Sequence, residues 1–214
     1  MTRTRIKICG LTRPEDAASA VSSGADALGV VLAPSKRRVT LEQAAEVFSA
    51  APPPVARVGV FVDPTPGEVH DAVVRLGLHC VQLHGDESPE FCAALGIPVA
   101  KAFRVGPGFD PSRMEAYQDA ISLLLLDTFV PGVAGGTGVT FDWQALAGKM
   151  PAEVRFAVSG GLTASNVGEA ILALRPFVVD VSSGVEIVPG IKDHRLIAEF
   201  VSAVRTIDQE VPHV

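Results

Sequence analysis

The sequence predicts an α/β protein folded as a (β/α)8 barrel, and three observations lead there. Eight short apolar runs recur along the 214 residues, helix-like segments lie between them, and the connections are uniformly short. The runs are Ile6–Cys9, Ala27–Leu32, Val55–Val62, Cys80–His84, Val99–Phe103, Leu123–Asp127, Arg155–Ser159 and Phe177–Val181. Most carry Val, Ile, Leu and Phe on both faces, as strands do when helices cover one side and a core the other. Right-handed crossovers make such strands parallel, and eight units close the sheet without an edge. An open doubly wound sheet competes with this arrangement, but no GxGxxG follows any strand.

The segments between the runs have helical starts. Pro14–Ser22 follows Thr12 as a potential N-cap, Leu41–Ala50 follows Thr40, and Ala164–Leu174 follows Thr163, each with apolar residues three and four apart. Pro66–Leu76, Pro89–Leu95, Pro111–Ala120 and Phe141–Gly148 supply further helices, several with proline in the first turn, where its missing N–H is harmless. A barrel of this length is small, so the fifth unit, Pro107–Ala120, is expected to hold its least regular helix. With no linker or low-complexity stretch, residues 1–214 are expected to form one domain, with a stiff Ala51-Pro52-Pro53-Pro54 connection and a frayed Glu210–Val214 tail.

Composition narrows the function. A net charge of −6 argues against a non-specific nucleic-acid surface, which needs clustered Lys and Arg; only Lys36-Arg37-Arg38 forms such a cluster. Three cysteines without metal-ligand spacing suggest neither a disulfide framework nor a metal site, and fit a reducing cytoplasm. No run approaches the ~20 apolar residues of a membrane span. With no apolar stripe evident on the surface, a monomer is expected.

In such a barrel the loops after the strands form the active face. Cys9, in Lys7-Ile8-Cys9-Gly10, stands where the first strand hands over to its loop. Asp127 ends the greasy run Leu123–Leu126, where burial is expected to raise its pKa as suits a general acid, although a strand-end Asp that caps a loop is the plainer alternative. Cys80, Gln82 and His84 share one face of the fourth strand at period two; Gln82 and His84 then sit near a ligand if that face is the interior, His84 as a wall or orienting group. Cys80 is expected in the core and Cys92 buried on a helix. Ser159-Gly160-Gly161-Leu162 and Ser182-Ser183-Gly184-Val185 follow strands seven and eight, the usual phosphate site of this fold, where glycine loops and a helix N-terminus cradle oxyanions. Arg37 can present a planar fork to a carboxylate, and Gly135-Gly136-Thr137-Gly138 can act as a lid.

The ordered motifs Lys-Ile-Cys-Gly, Val-Gly-Val-Phe, Val-Gln-Leu-His-Gly, Leu-Leu-Asp-Thr, Gly-Gly-Thr-Gly, Phe-Asp-Trp, Ser-Gly-Gly-Leu and Asp-Val-Ser-Ser-Gly-Val-Glu resemble the phosphoribosylanthranilate isomerase family of tryptophan biosynthesis, from about Lys7 to His194. The resemblance implies a TIM barrel that performs an Amadori rearrangement of a phosphosugar without cofactor. It implies Asp127 as acid, Cys9 as base, Arg37 on the anthranilate carboxylate, and Gly160, Gly161, Ser182, Ser183 and Gly184 around the phosphate. Lys7, two residues from Cys9 on the same face, is the expected source of activating charge. The loop Ala33–Val39 is shorter than the family's and lacks its aromatic residue; alignment on Thr40 selects Arg37, and alignment on Pro34 selects Arg38.

Overall fold

Eight parallel strands close into a barrel in chain order: β1 (Arg5–Ile8), β2 (Ala27–Val31), β3 (Ala56–Phe61), β4 (Cys80–Leu83), β5 (Val99–Val105), β6 (Leu123–Thr128), β7 (Phe156–Val158) and β8 (Val178–Val181). The barrel is seen in a computed structural model that describes residues 3–106, 108–128, 143–146 and 154–210. Closure comes from β8 pairing with β1, in a register from Arg5 opposite Val178 to Ile8 opposite Val181. Alternation along each strand sorts the side chains. Ile6, Ile8, Val81, Leu83, Leu124, Leu126, Val179 and Val181 join the large core between strands and helices. Ala102, Leu125, Ala157 and Val178 form a small apolar cluster of their own, on the opposite, inward face.

The helices start largely where their caps predict. α2 (Leu41–Ser49) opens on a capping box of Thr40 and Gln43, and α3 (Pro66–Leu76) on one of Thr65 and Glu68. Ser88 caps α4 (Pro89–Ala94) through the Phe91 N–H. Two expected caps are corrected. α1 (Pro14–Ser23) begins from Arg13 with no side-chain cap, because the Thr12 hydroxyl donates to the Gly190 carbonyl instead. After β7, α5 (Trp143–Leu146) having preceded that strand, α6 (Val167–Leu174) begins three residues later than the sequence suggested. The intervening turn is held by Asn166, whose Oδ1 accepts from the Thr163 N–H at 2.8 Å while its Nδ2 donates to Gly161 O at 2.9 Å.

The fifth unit is the irregular one, a 3₁₀ turn over Pro111–Tyr117 in place of an α-helix. The expected Phe141–Gly148 helix is described only over its Trp143–Leu146 part, and the Gly135–Gly138 lid lies outside the described residues. Two elements were not anticipated. A hairpin of β9 (Glu186–Val188) and β10 (Ile191–Lys192) turns at Gly190, whose φ of 87° suits glycine. α7 (His194–Glu210) then buries Ile197, Phe200, Val201 and Val204 and packs against α1 and α6, completing the outer ring.

Candidate active site

The rim at the carboxyl ends of the strands rests on a row of polar side chains inside the barrel. Lys7 on β1 points inward, because its Nζ reaches Gln82 Oε1 on β4 at 2.9 Å and Asp180 Oδ2 on β8 at 2.8 Å. Gln82 Nε2 lies 3.3 Å from His84 Nδ1, and His84 Nε2 lies 3.2 Å from Asp127 Oδ2 at the end of β6. The period of two that placed Gln82 and His84 on one face of strand four thus holds, and that face is the interior.

Cys9 is the next inward residue of the β1 row. A Cβ added to inward-facing Gly29 of β2 would sit 3.0 Å from Cys9 Sγ and 3.1 Å from Lys7 Cε, so the sulfur lies directly over the lysine stem. Cys9 as a residue is 8% exposed. Burial pushes its pKa up, Lys7 pulls it down, and Asp180 pushes it up again; the net shift is upward. The expectation that Lys7 would activate Cys9 outright is therefore corrected: Asp180 neutralises much of the lysine field, and burial wins. Lys7 loses basicity by burial but gains more from Asp180 and Cys9, and stays protonated.

Asp127 also departs from expectation. Its side chain is 26% exposed rather than buried, with His84 at its inner oxygen. Its strand neighbour in register is Arg104, an exposed cation at the same rim. Cys80, lower in the β4 row, is partly buried rather than fully core, and Cys92 is buried on α4.

The loop after β2 separates its three cations. Lys36 and Arg38 are exposed, whereas the Arg37 side chain is 18% exposed and runs over Gly10, where an added Cβ would sit 2.6 Å from Arg37 Cδ and 2.9 Å from Ser182 Oγ. Gly10 has φ 72°, so its missing side chain and its backbone conformation both serve this approach. Arg37 Nε and Nη2 donate to Glu186 Oε1 and Oε2 at 2.8 and 2.7 Å, a bidentate pair on one edge of the guanidinium. Fully buried Lys192 shares Glu186 Oε1 at 2.8 Å and donates to Ser182 O at 3.1 Å. Burial pushes the Glu186 carboxyl up, but the Arg37 bond and Lys192 hold it below the ordinary range.

The glycine loops after β7 and β8 meet. Gly160 and Gly161 have φ of 83° and 67°, and a Cβ on Gly184 would fall 1.9 Å from Leu162 O. Gly160 is as tightly set against β6, 2.4 Å from Thr128 N by the same measure. Ser182 leads into a 3₁₀ turn over Ser183–Val185, next to the Lys192 ammonium. One rim thus gathers a thiol, a carboxyl group, a braced guanidinium and two abutting glycine loops.

A profile described as "N-(5'phosphoribosyl)anthranilate (PRA) isomerase" matches residues 6–203. The chain belongs to the phosphoribosylanthranilate isomerase family. A relative named N-(5'-phosphoribosyl)anthranilate isomerase from Dechloromonas aromatica is 47% identical over 211 residues, 98% of this chain and all of the relative. One of the same name from Chromohalobacter salexigens is 49% identical over 95% of each chain. The solved phosphoribosyl anthranilate isomerase of Thermotoga maritima superposes with a TM-score of 0.86 at 42% identity, covering 95% of this chain and 99% of that one. A further solved isomerase at 40% identity and TM-score 0.83, with coverage of 95% and 99%, is in complex with reduced 1-(o-carboxyphenylamino)-1-deoxyribulose 5-phosphate.

The rim residues that sequence motifs picked out all lie within the matched span, and geometry adds others. Asp180, Glu186 and Lys192 were not singled out as site residues. Asp180 and Glu186 open and close the motif Asp-Val-Ser-Ser-Gly-Val-Glu, and Asp180 is also a carboxylate inside the apolar run Phe177–Val181 at an inward position; Lys192, in a short hairpin, left no signal.

Proposed function

We propose that Cys9 and Asp127 are the base and the acid of the Amadori rearrangement that this chain catalyses, the conversion of N-(5′-phosphoribosyl)anthranilate into 1-(2-carboxyphenylamino)-1-deoxyribulose 5-phosphate, a step of tryptophan biosynthesis. The observation that carries the assignment is that the inward rows of β1 and β6 end in these two groups above one shared polar layer. Protonated Asp127 gives its proton to the furanose oxygen as the C1′–O bond breaks and the nitrogen lone pair forms a C=N bond. The Cys9 thiolate removes the C2′ proton, and the electrons of that C–H bond form the C1′=C2′ bond of an enolamine while nitrogen recovers its lone pair. Loss of the enol proton and protonation at C1′ give the ketone. Bound anthranilate carboxylate brings no cation of its own, so Arg37 must supply it. One guanidinium edge is held by Glu186, and Nη1, which has no partner among the described residues, is left to face the substrate. Gly160, Gly161, Ser182, Ser183 and Gly184 turn backbone N–H groups to the phosphate, with Lys192 adding charge beneath.

The test follows loss of fluorescence of freshly made phosphoribosylanthranilate. Cys9→Ala and Asp127→Asn should each abolish measurable turnover, and wild-type rates in both would remove the assignment. We also place the enzyme in the cytoplasm, which its three free cysteines support, and read it as one monomeric domain. A relative from Thermotoga maritima is described as dimeric, and sedimentation distinguishes the two states.

A further inference from the structure

We propose that Lys7 and Gln82 fix the tautomer of His84, so that His84 Nε2–H always donates to Asp127 Oδ2 and the acidic proton of Asp127 is placed on Oδ1. The inference rests on the acid role of Asp127 given above. The argument is one of donors and acceptors. An ammonium group has three N–H donors and no acceptor, so the Gln82 atom 2.9 Å from Lys7 Nζ must be its carbonyl oxygen. The other end of the amide is then NH₂, a donor only, and it faces His84 Nδ1 at 3.3 Å. A nitrogen that meets a donor must accept. Neutral His84 therefore carries its hydrogen on Nε2, 3.2 Å from Asp127 Oδ2.

Gln82 cannot turn over to reverse this order. It is 3% exposed, and a flipped amide would set its NH₂ against the ammonium and its oxygen against the nitrogen lone pair. Asp180 keeps the lysine in place from the far side at 2.8 Å. The series thus transmits orientation and not protons, since the amide N–H of Gln82 is far too weakly acidic to release one.

For catalysis the consequence is directional. With Oδ2 accepting from Nε2–H, the carboxyl proton is better placed on Oδ1, since a carbonyl-type oxygen accepts more strongly than a hydroxyl oxygen, and Oδ1 gives it to the ring oxygen. As that proton departs, charge grows on the carboxylate and the Nε2–H bond strengthens, so His84 favours the transition state over the ground state. His84 is a positioning residue, and Gln82 and Lys7 position it in turn.

Nitrogen-15 NMR of histidine-labelled enzyme at alkaline pH, where imidazoles are neutral, reads the tautomer directly; the His84 signals are identified by their loss in His84→Asn. The expected result is Nε2–H in the wild type, Nε2–H retained in Asp127→Asn, where the carboxylate that would by itself favour that tautomer is gone, and a mixture of tautomers in Gln82→Leu/Asp127→Asn. An Nδ1–H tautomer in the wild type overturns the proposal. Activity gives an independent check, because glutamine places an N–H near the Nε2 position and asparagine places one near Nδ1. His84→Gln should keep most of its turnover, whereas His84→Asn should lose on the order of 100-fold in kcat with little change in KM. The reverse ranking also overturns it. Failure of the acid–base assignment would appear elsewhere, as turnover in Asp127→Asn, and would leave the NMR result standing.

Discussion

Lys7→Met is the most informative single perturbation of the interior. The Lys7 and Asp180 side chains are 7% and 3% exposed and their charged atoms are 2.8 Å apart. Removing one partner of such a pair leaves a charge stranded out of water, at a cost of about 3–5 kcal/mol. The upper half of that range is expected here, because Asp180 Oδ1 has no hydrogen-bond partner among the described residues and the substitution strips Oδ2 and the Gln82 carbonyl of the lysine. Domains are stable by about 5–15 kcal/mol, so the variant folds with a thin margin and melts roughly 8–20 °C lower. Urea unfolding followed through the single tryptophan, buried Trp143, measures the loss. Lys7→Met/Asp180→Leu should recover most of it, since two apolar groups strand nothing. A loss below about 1 kcal/mol, or a double variant no better than the single one, refutes the claim that this pair governs the layer. The same substitution removes the strongest influence lowering the Cys9 thiol pKa, so the pH midpoint of Cys9 alkylation by iodoacetamide should move up.

Four further outcomes are expected. Arg37→Ala should raise KM strongly while Arg38→Ala changes little, because only Arg37 leans over Gly10 toward Cys9; steady-state kinetics with the opposite result moves the carboxylate clamp by one residue. Glu186→Gln keeps the shape of the brace but weakens its hold, and KM should rise with kcat preserved; a fall in kcat alone contradicts a purely positioning role. Gly184→Ala should damage phosphate affinity or folding, since its Cβ would meet Leu162 O at 1.9 Å, and product-analogue binding measured by calorimetry checks this. The folded state holds the Cys9 thiol above its ordinary value and pushes Cys80 up to about 11, chiefly by burial, so the unfolded chain releases these protons first. Their contribution to stability is complete below about pH 8.5, the ordinary thiol range, and drains as pH rises toward 11. Urea midpoints at the two ends of that window should show the decline, and Cys80→Ala should flatten it.

Sequence carried the barrel because its strands are locally written. A run such as Leu123–Leu126 is apolar on both faces and too short for a helix, and its end is marked by Asp127. Elements whose reason is remote were harder to see. Thr12 has the chemistry of a cap, yet its hydroxyl serves Gly190, 178 positions away. α7 is strongly polar on its outer face and resembles a tail until α1 and α6 cover its apolar stripe. The site divides in the same way. Cys9, Asp127, Gln82 and His84 end or line strands and could be named from position and period. Asp180 meets Lys7 across 173 positions and Glu186 meets Arg37 across 149, pairings that only closure of the barrel creates.

The interior layer itself argues that catalysis, rather than stability, shaped it. On the side of β5 to β8 the barrel is filled by Ala102, Leu125, Ala157 and Val178, the small and branched residues that pack such a core without electrostatic cost. Two residues beyond Val178 on β8 stands Asp180, with Lys7 on β1 and Gln82 on β4, all but excluded from water. Branched aliphatic residues there would stabilise the fold at least as well, since a buried ion pair seldom repays its desolvation. What aliphatic residues could not do is fix the charge beside Cys9 and the hydrogen-bond sense at Asp127. Lys7 lies beside Cys9, and Gln82 meets the His84 that meets Asp127, which is where an acid–base pair needs rigid, oriented dipoles and where spending stability has a return in rate.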